Sequence, residues 1–361
     1  MITKCKRQKK AMKTPLFTII VPVYNAQNYI QHCMDSIFGE DLKTTYDTCC
    51  APFLYLAKNY EVIVVDDGST DNTGVLLDNI AHNKDEMYVI HTKNYGVSHA
   101  RNKALQQAKG TYILFLDADD YLLANWKQIV ISAIKLEADL TIFDFVKKYD
   151  NGQEKKVSYN PSANQRKWCE KAFLISNQMN PCWSRLYKKS IIDTFQIKFD
   201  ETMTSGEDFV FALDYFKYCN KVRFLHKPIL YKEEQTDSVM HRISVEKYLA
   251  DDAKMLAARR RYIKEKGSKK WYQNCVKLHF CAITNLLLKV ILKSSKEEQE
   301  KYIHIICNHP HVKAVIKKLN PQVISVRKRL EYRLLNQSKR TLLLQYLRIK
   351  ARFIRLKQDI E

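Results

Sequence analysis

Three carboxylates close an apolar run, Thr111-Tyr112-Ile113-Leu114-Phe115-Leu116-Asp117-Ala118-Asp119-Asp120. Unpaired charge is too unfavourable to enter a dry core. The acids are therefore expected just past the carboxyl end of a buried strand, in the crevice where open α/β sheets bind ligands. Asp117 and Asp119 stand two residues apart, and a slight bend lets both face one hard cation. Oxygen ligands of this kind suit Mg2+ or Mn2+, which complete their shells with water and substrate phosphates. Taken alone, the motif reads better as a solvated acidic turn. Two other stretches change that reading. Glu61-Val62-Ile63-Val64-Val65 runs into Asp66-Asp67-Gly68-Ser69-Thr70-Asp71, and Phe17 to Val21 runs into Pro22-Val23-Tyr24-Asn25. Three polar or acidic loops at the same topological position are poorly explained as separate surface turns.

The elements that position these loops follow from hydrophobic periodicity. Strands are expected at 17–21, 61–65, 87–91 and 111–116. Helical spacing appears in 26–38, a helix follows the N-cap candidates Ser69 and Thr70, and the glycine turn within Asn94 to Asn102 enters a helix that stops at Lys109-Gly110. The resulting β-α-β-α-β-α-β order predicts a parallel sheet. Residues 39–60 read as an insertion. Further along, 126–136 and 209–218 read as helices and 138–145 as a strand. Residues 147–167 read as a loop or hairpin, and 222–225 and 229–231 as short edge strands. From about Ser244 the chain is helical and basic. The expected organisation is a basic tail at 1–14, an α/β catalytic domain at 15–240, and a helical region at 241–361.

Composition narrows the function classes. The 361 residues are 46% hydrophobic and 11% aromatic, the profile of a globular protein, but the formal net charge is +21. Such a charge points to a polyanionic partner: nucleic acid, an anionic membrane face or phosphorylated substrates. The ten cysteines show no CxxC or Cys/His metal spacing, which favours reduced thiols in a cytoplasmic protein. No secretory signal is visible, and no run reaches the ~20 apolar residues that span a bilayer. The nearest, Phe280 to Leu292, is short and contains Asn285 and Lys289.

Laid out in order, the motifs resemble those of the inverting family 2 glycosyltransferases of bacterial capsule, exopolysaccharide and lipopolysaccharide synthesis. They are Pro22-Val23-Tyr24-Asn25, Val64 to Asp71, Asn94-x-Gly96-x-x-x-Ala100-Arg101-Asn102, Leu116 to Asp120, Trp183-x-x-Leu186-Tyr187-Lys188 and Gly206-Glu207-Asp208. The resemblance covers about residues 16–240. It implies a GT-A fold, a mostly parallel sheet flanked by helices, and metal-assisted transfer of a sugar from a nucleotide donor with inversion. By it, Asp119 coordinates the metal, Asp117 contacts ribose or sugar, and Asp120 supports either group. Asp67 accepts a hydrogen bond from the base, Asp66 orients the loop, and Pro22, Tyr24 and Asn25 fix the nucleoside. Arg101 pairs with the diphosphate, with an ion pair to the pocket acids as its alternative. Asp208 is the catalytic base, Trp183 and Glu207 lie toward the acceptor, and His241 is a further metal ligand. The donor is expected to be a UDP-sugar and the acceptor a glycan or lipid-linked sugar.

The last stretch carries Leu342, Tyr346, Ile349, Phe353, Leu356 and Ile360 at helical spacing, with Arg340, Arg348, Lys350, Arg352, Arg355 and Lys357 off that stripe. A cationic amphipathic helix suits an anionic lipid surface, here the cytoplasmic face of the inner membrane. A helix packed on the catalytic domain explains the stripe equally well. Two other functions compete. A nucleic-acid-binding protein would account for the charge, but no module with interleaved basic and aromatic residues is present. A nucleotidyltransferase would use the same acids, but Pro22-Val23-Tyr24-Asn25 lacks a glycine-rich basic phosphate loop.

Overall fold

The structure is a computed structural model that describes residues 14–39, 59–149, 152–233 and 244–358, with side chains to residue 354. The 39–60 insertion falls almost wholly outside the described residues, as does His241. The chain divides into two compact units. The first comprises Met1–Cys169, Asn180–Met203 and Glu207–Ser238, and the second Glu170–Met179, Thr204–Gly206 and Val239–Glu361.

The first unit is built on a nine-stranded sheet. Its parallel half consists of β1 (Phe17–Val23), β2 (Tyr60–Asp66), β3 (Met87–His91) and β4 (Tyr112–Phe115). β1 pairs in parallel with β2 and β4, and β2 with β3. Every residue of β1, β2 and β4 is buried, as continuous apolar runs predict for a sheet covered on both faces. Helices α1 (Ile30–Phe38), α2 (Thr73–His82) and α3 (Val97–Gln107) connect these strands. Pro22 lies in the central strand β1 without breaking the sheet. Its partner on one side is Val65, while pairing with β4 ends at Ile20↔Phe115, so no ladder bond needs its missing N–H.

The second half is mixed. It comprises β5 (Tyr121–Leu122), α4 (Trp126–Ile134), β6 (Leu140–Lys148), β7 (Glu154–Val157), the start of α5 (Gln165–Ile175, counted with the second unit from Glu170), β8 (Arg185–Lys188), α6 (Lys189–Thr194), α7 (Glu207–Phe216) and β9 (Val222–Glu233). The strand order is β3-β2-β1-β4-β8-β6-β9-β5, with β7 paired to β6 as a hairpin. The two expected edge strands at 222–231 are one strand, β9, lying between β6 and β5. Its ladder with β6 shifts register around Asp144 and Pro228, which interrupted the periodicity in the sequence. The Leu186-Tyr187-Lys188 motif forms β8, antiparallel to both β4 and β6.

The second unit is helical: α8 (Val245–Lys266), α9 (Tyr272–Lys293), α10 (Lys296–Asn308), α11 (Pro310–Lys318), α12 (Val326–Asn336) and α13 (Arg340–Gln358). Its core gathers Leu249, Phe280, Leu287, Ile306, Val315 and Leu347 among others. Contrary to the sequence expectation, the segment Lys269–Lys293 is long and apolar enough to cross a membrane by length and composition. Counting only uninterrupted apolar residues missed it. Half of its apolar window is buried among the other helices, as expected of a bundle's central helix.

A buried polar group pins this bundle. Both oxygens of Asp252 are bonded, to His279 Nδ1 at 2.7 Å and to His311 Nε2 at 2.6 Å. Arg259 Nη1 lies 2.9 Å from His279 Nε2. Arginine can only donate, so His279 accepts at Nε2 and gives its Nδ1 proton to Asp252. One carboxylate and one guanidinium are thus linked through a neutral imidazole.

Candidate active site

The site lies at the carboxyl ends of the parallel strands. β1 and β2 end in loops zipped to each other. Asp67 N–H donates to the Val23 carbonyl at 2.8 Å, and Asn25 N–H donates to Ser69 Oγ at 2.9 Å. Asn25 Oδ1 accepts from Thr70 N–H at 2.8 Å, and Asn25 sits at φ +48°. Gly68, at φ +74°, passes so close to the β3–α3 loop that a Cβ would lie 2.6 Å from Asn94 N. Tyr24 is left half exposed on this rim.

Asp66 and Asp67 are both buried and serve the loops themselves. Asp66 accepts from Ser69 N–H at 3.0 Å and binds His91 at 2.9 Å. Asp67 accepts from Tyr95 N–H at 3.0 Å and Gly96 N–H at 2.7 Å. The carboxylate expected to read the base is thus engaged with the backbone amides just before α3.

The strand-end acids lie beyond β4. Asp117, Asp119 and Asp120 offer oxygens within 4.8 Å of one another. Asp119 is the most exposed of the three side chains and Asp120 is fully enclosed. Arg101, projecting from α3 and 4% exposed, joins them to the start of α7. Its Nη2 donates to Asp117 Oδ1 at 3.0 Å, and its Nη1 donates to Asp208 Oδ1 at 2.6 Å and Glu207 Oε1 at 3.3 Å. Both Nη groups of the guanidinium are thus paired with carboxylates, the alternative weighed for it. Asp208 Oδ2 also accepts from Cys182 N–H at 3.2 Å, which fixes the orientation of that carboxylate. Trp183, one residue on, packs edge-on against Phe145 and is partly buried.

Sequence reasoning missed one residue of this site, Lys232. Its Nζ lies 3.0 Å from Asp120, 3.4 Å from Asp117 and 3.7 Å from Asp119. The signal that could have found it was the alternation of β9, which puts Lys232 next to Tyr231, the partner of Tyr121.

The charges set one another's protonation. Burial alone would raise Asp117, but Lys232 and Arg101 overcome it and hold that carboxyl below its ordinary value. Burial pushes Asp120 well up, and Lys232 offsets only part of this. Burial likewise raises Asp119. Burial and the adjacent Asp208 carboxylate push Glu207 up to about 7 against the pull of Arg101. Five carboxylates (Asp117, Asp119, Asp120, Glu207, Asp208) thus face two fixed cations, Arg101 and Lys232. An oxygen-only donor set with excess negative charge fits a hard divalent cation, and Asp119 is the carboxylate most open to one.

The sequence pattern of glycosyl transferase family 2 matches residues 18–195. Over these residues the chain belongs to glycosyl transferase family 2. Among family members, it is 26% identical over 234 residues to the uncharacterized glycosyltransferase EpsJ of Bacillus subtilis, covering 62% of this chain and 63% of EpsJ. It is 27% identical over 220 residues to TarS of Staphylococcus aureus, a poly(ribitol-phosphate) beta-N-acetylglucosaminyltransferase, covering 60% of this chain and 35% of TarS. The chain spans less than two thirds of the length of these curated relatives. The crystal structure of TarS residues 1–349 with UDP-GlcNAc superposes with a TM-score of 0.65 at 21% identity, over 93% of this chain and 91% of that one. The fold is accordingly α/β of the GT-A kind with a helical C-terminal region, as the family motifs implied.

Proposed function

We propose that this chain transfers a sugar from a UDP-sugar to a hydroxyl of a cell-surface glycan or lipid-linked acceptor, with inversion at the anomeric carbon. The observation that carries this reading is the Arg101 guanidinium. It holds Asp208 and Asp117 at once and so sets the would-be base and the donor-side acids at a fixed separation. The complexes of TarS with UDP and with UDP-GlcNAc support a uridine nucleotide as donor.

In the proposed reaction, Asp208 receives the proton of the attacking hydroxyl while the new C–O bond forms and the bond to the diphosphate oxygen breaks on the opposite face. A carboxylate suits a proton that moves late in an oxocarbenium-like transition state. Asp119, with Asp117, would hold Mn2+ or Mg2+, whose chemistry when bound is to neutralise charge on the leaving diphosphate. Trp183 presents a ring face suited to an acceptor sugar, and Glu207 completes that side.

A second part of the proposal concerns location: the helical unit rests on the cytoplasmic face of an anionic membrane. In α13, Leu343, Leu347 and Ala351 are buried, whereas Leu342, Ile349 and Phe353 are 51%, 55% and 66% exposed. At 3.6 residues per turn these two rows lie on opposite sides of the helix. The stripe picked out in the sequence is thus largely the outward one. Tyr346 is its half-buried member, and the side chains of Leu356 and Ile360 fall outside the described residues.

The test is nucleotide release from a panel of UDP-, GDP- and dTDP-sugars with Mn2+, wild type beside Asp208→Asn. One UDP-sugar should be turned over. Asp208→Asn should lose about 10²–10⁴-fold in kcat while calorimetry shows its UDP affinity unchanged. Turnover of a nucleoside triphosphate to pyrophosphate would overturn the reading.

A further inference from the structure

Lys232 is a cation among the strand-end acids that the reading above leaves without a role, and the inference below rests on that reading. Strand pairing fixes its place. β5 leaves the acid loop directly and runs antiparallel to β9 in the register Tyr121↔Tyr231 and Leu122↔Leu230. Lys232 therefore lies across from the acids, 112 residues after Asp120 in the chain. The strand end around it is tied on both sides. Glu233 N–H donates to Asp120 Oδ1 at 3.3 Å, and the Glu233 carboxylate binds Lys148 at 3.3 Å. The ammonium also lies 5.8 Å from the centre of the Trp183 ring. It is held rather than loose, yet its side chain is 24% exposed, so the pocket reaches it.

Two further facts define what this cation can do. First, its contacts of 3.0, 3.4 and 3.7 Å to Asp120, Asp117 and Asp119 span the whole acid cluster. A Mg2+ ion binds such oxygens at about 2.0–2.1 Å, so a divalent ion placed among the same carboxylates must draw them off the lysine. Second, Arg101 is sequestered by Asp117, Glu207 and Asp208. Among the described residues that touch the strand-end acids, this leaves Lys232 as the positive charge able to turn toward an incoming phosphate oxygen.

We propose that Lys232 is a resident cation of the donor site, competing with a divalent ion for the strand-end carboxylates and taking up part of the charge of a bound nucleoside diphosphate. In the nucleotide-free chain it holds Asp117 and Asp120 in place. When a metal engages Asp119 and Asp117, the ammonium is released toward the diphosphate. A compact ammonium on a flexible stem can make that shift, and it does so as a point charge.

The experiment is titration calorimetry on the full chain, wild type beside Lys232→Met and Lys232→Arg. Mn2+ is titrated into nucleotide-free protein, and UDP is titrated in EDTA and, separately, in saturating Mn2+. Lys232→Met should bind Mn2+ at least tenfold more tightly than wild type, because three carboxylates lose their internal competitor. It should also bind UDP at least tenfold more weakly in saturating Mn2+, the condition that frees the ammonium, and differ less in EDTA. Lys232→Arg should stay within about threefold of wild type in Mn2+ and UDP affinity alike. Unchanged Mn2+ affinity in Lys232→Met would overturn the competition, and unchanged UDP affinity in saturating Mn2+ would overturn the diphosphate role. Should Lys232→Met lose its cooperative melt, Lys232→Gln carries the same comparison. If wild type fails to bind UDP even in saturating Mn2+, the donor-site reading falls, while the nucleotide-free Mn2+ titration still decides whether Lys232 competes for the acids.

Discussion

Glu207 and Asp208 are neighbours in sequence, share one guanidinium, and differ in surroundings. Glu207 is the one that burial and the adjacent negative charge push up to about 7. A carboxyl raised in the folded state binds more protons there than in the unfolded chain. Its contribution to stability is fully present below the unfolded value of ~4.3 and is lost as pH rises through about 7. Replacing it by an amide that does not titrate removes that loss. Glu207→Gln should therefore melt with wild type at pH 5 and a few degrees above it at pH 8, about 1–2 kcal/mol, by scanning calorimetry at the two pH values. The family resemblance singled out Asp117, Asp119 and Asp208, because its motifs are local and each opens or closes an element. It could not show that the Nη groups of Arg101 join Asp117 to Asp208. Nor could it show that Asp67 serves the α3 entrance, since both facts depend on which loops the sheet brings side by side.

Elements hold these residues through a few close approaches. Gly110, between α3 and β4, lies against β1 so tightly that a Cβ would sit 2.4 Å from Thr18 N and 2.5 Å from the Phe17 carbonyl carbon. Those atoms are backbone and cannot swing away. The Gly110 N–H also donates to Thr18 Oγ1 and to the buried carboxylate of Glu61. Gly110→Ala should separate β1 from the start of β4 and lower stability by about 2–3 kcal/mol. Denaturant unfolding measures this, and loss of Mn2+ affinity should accompany it, because β4 carries the acid loop. Lys109-Gly110 reads in the sequence as an ordinary helix stop. The parallel strands were legible for a simple reason: strands buried on both faces are continuous apolar runs. β5, of two residues, and the shifted ladder of β9 have no such signature, so although a strand was read at 138–145, the continuity of β9, and Lys232 with it, stayed hidden.

At the scale of the whole molecule, the two units answer to different conditions. In the helical unit, His279 is held below its ordinary value, first by burial and also by Arg259. Asp252 is held far below the usual carboxylate range because its two imidazole partners outweigh burial. Both are depressed, so the stability they give is present above their unfolded values and is lost as pH falls. The loss begins near ~6.5 with His279 and continues below ~3.9 with Asp252. Melting followed from pH 7.5 to 5.0 should show a falling midpoint for wild type and a flatter profile for His279→Gln, which starts lower. The outward row of α13 makes a separate prediction. Sedimentation with phosphatidylglycerol vesicles should bind wild type and leave Ile349→Ser/Phe353→Ser at least fivefold weaker. Phosphatidylcholine vesicles should bind neither, since attraction to the anionic surface contributes about 1 kcal/mol per basic residue.

The pairing of β5 with β9 also has a consequence in time. A ribosome releases the acids of residues 117–120 well before it reaches Lys232, 112 residues later than Asp120. Synthesis at about 5–20 residues per second leaves the nascent chain several seconds with these carboxylates gathered or gathering and their ammonium not yet made. The parallel strands β1 to β4 can pair in that interval and Arg101 can meet Asp117, but Asp119 and Asp120 meet Lys232 only after β9 adds to the sheet. Completion of the strand-end acid cluster is thus among the last events in the maturation of this unit, and a chain stalled before β9 would carry the acids without Lys232.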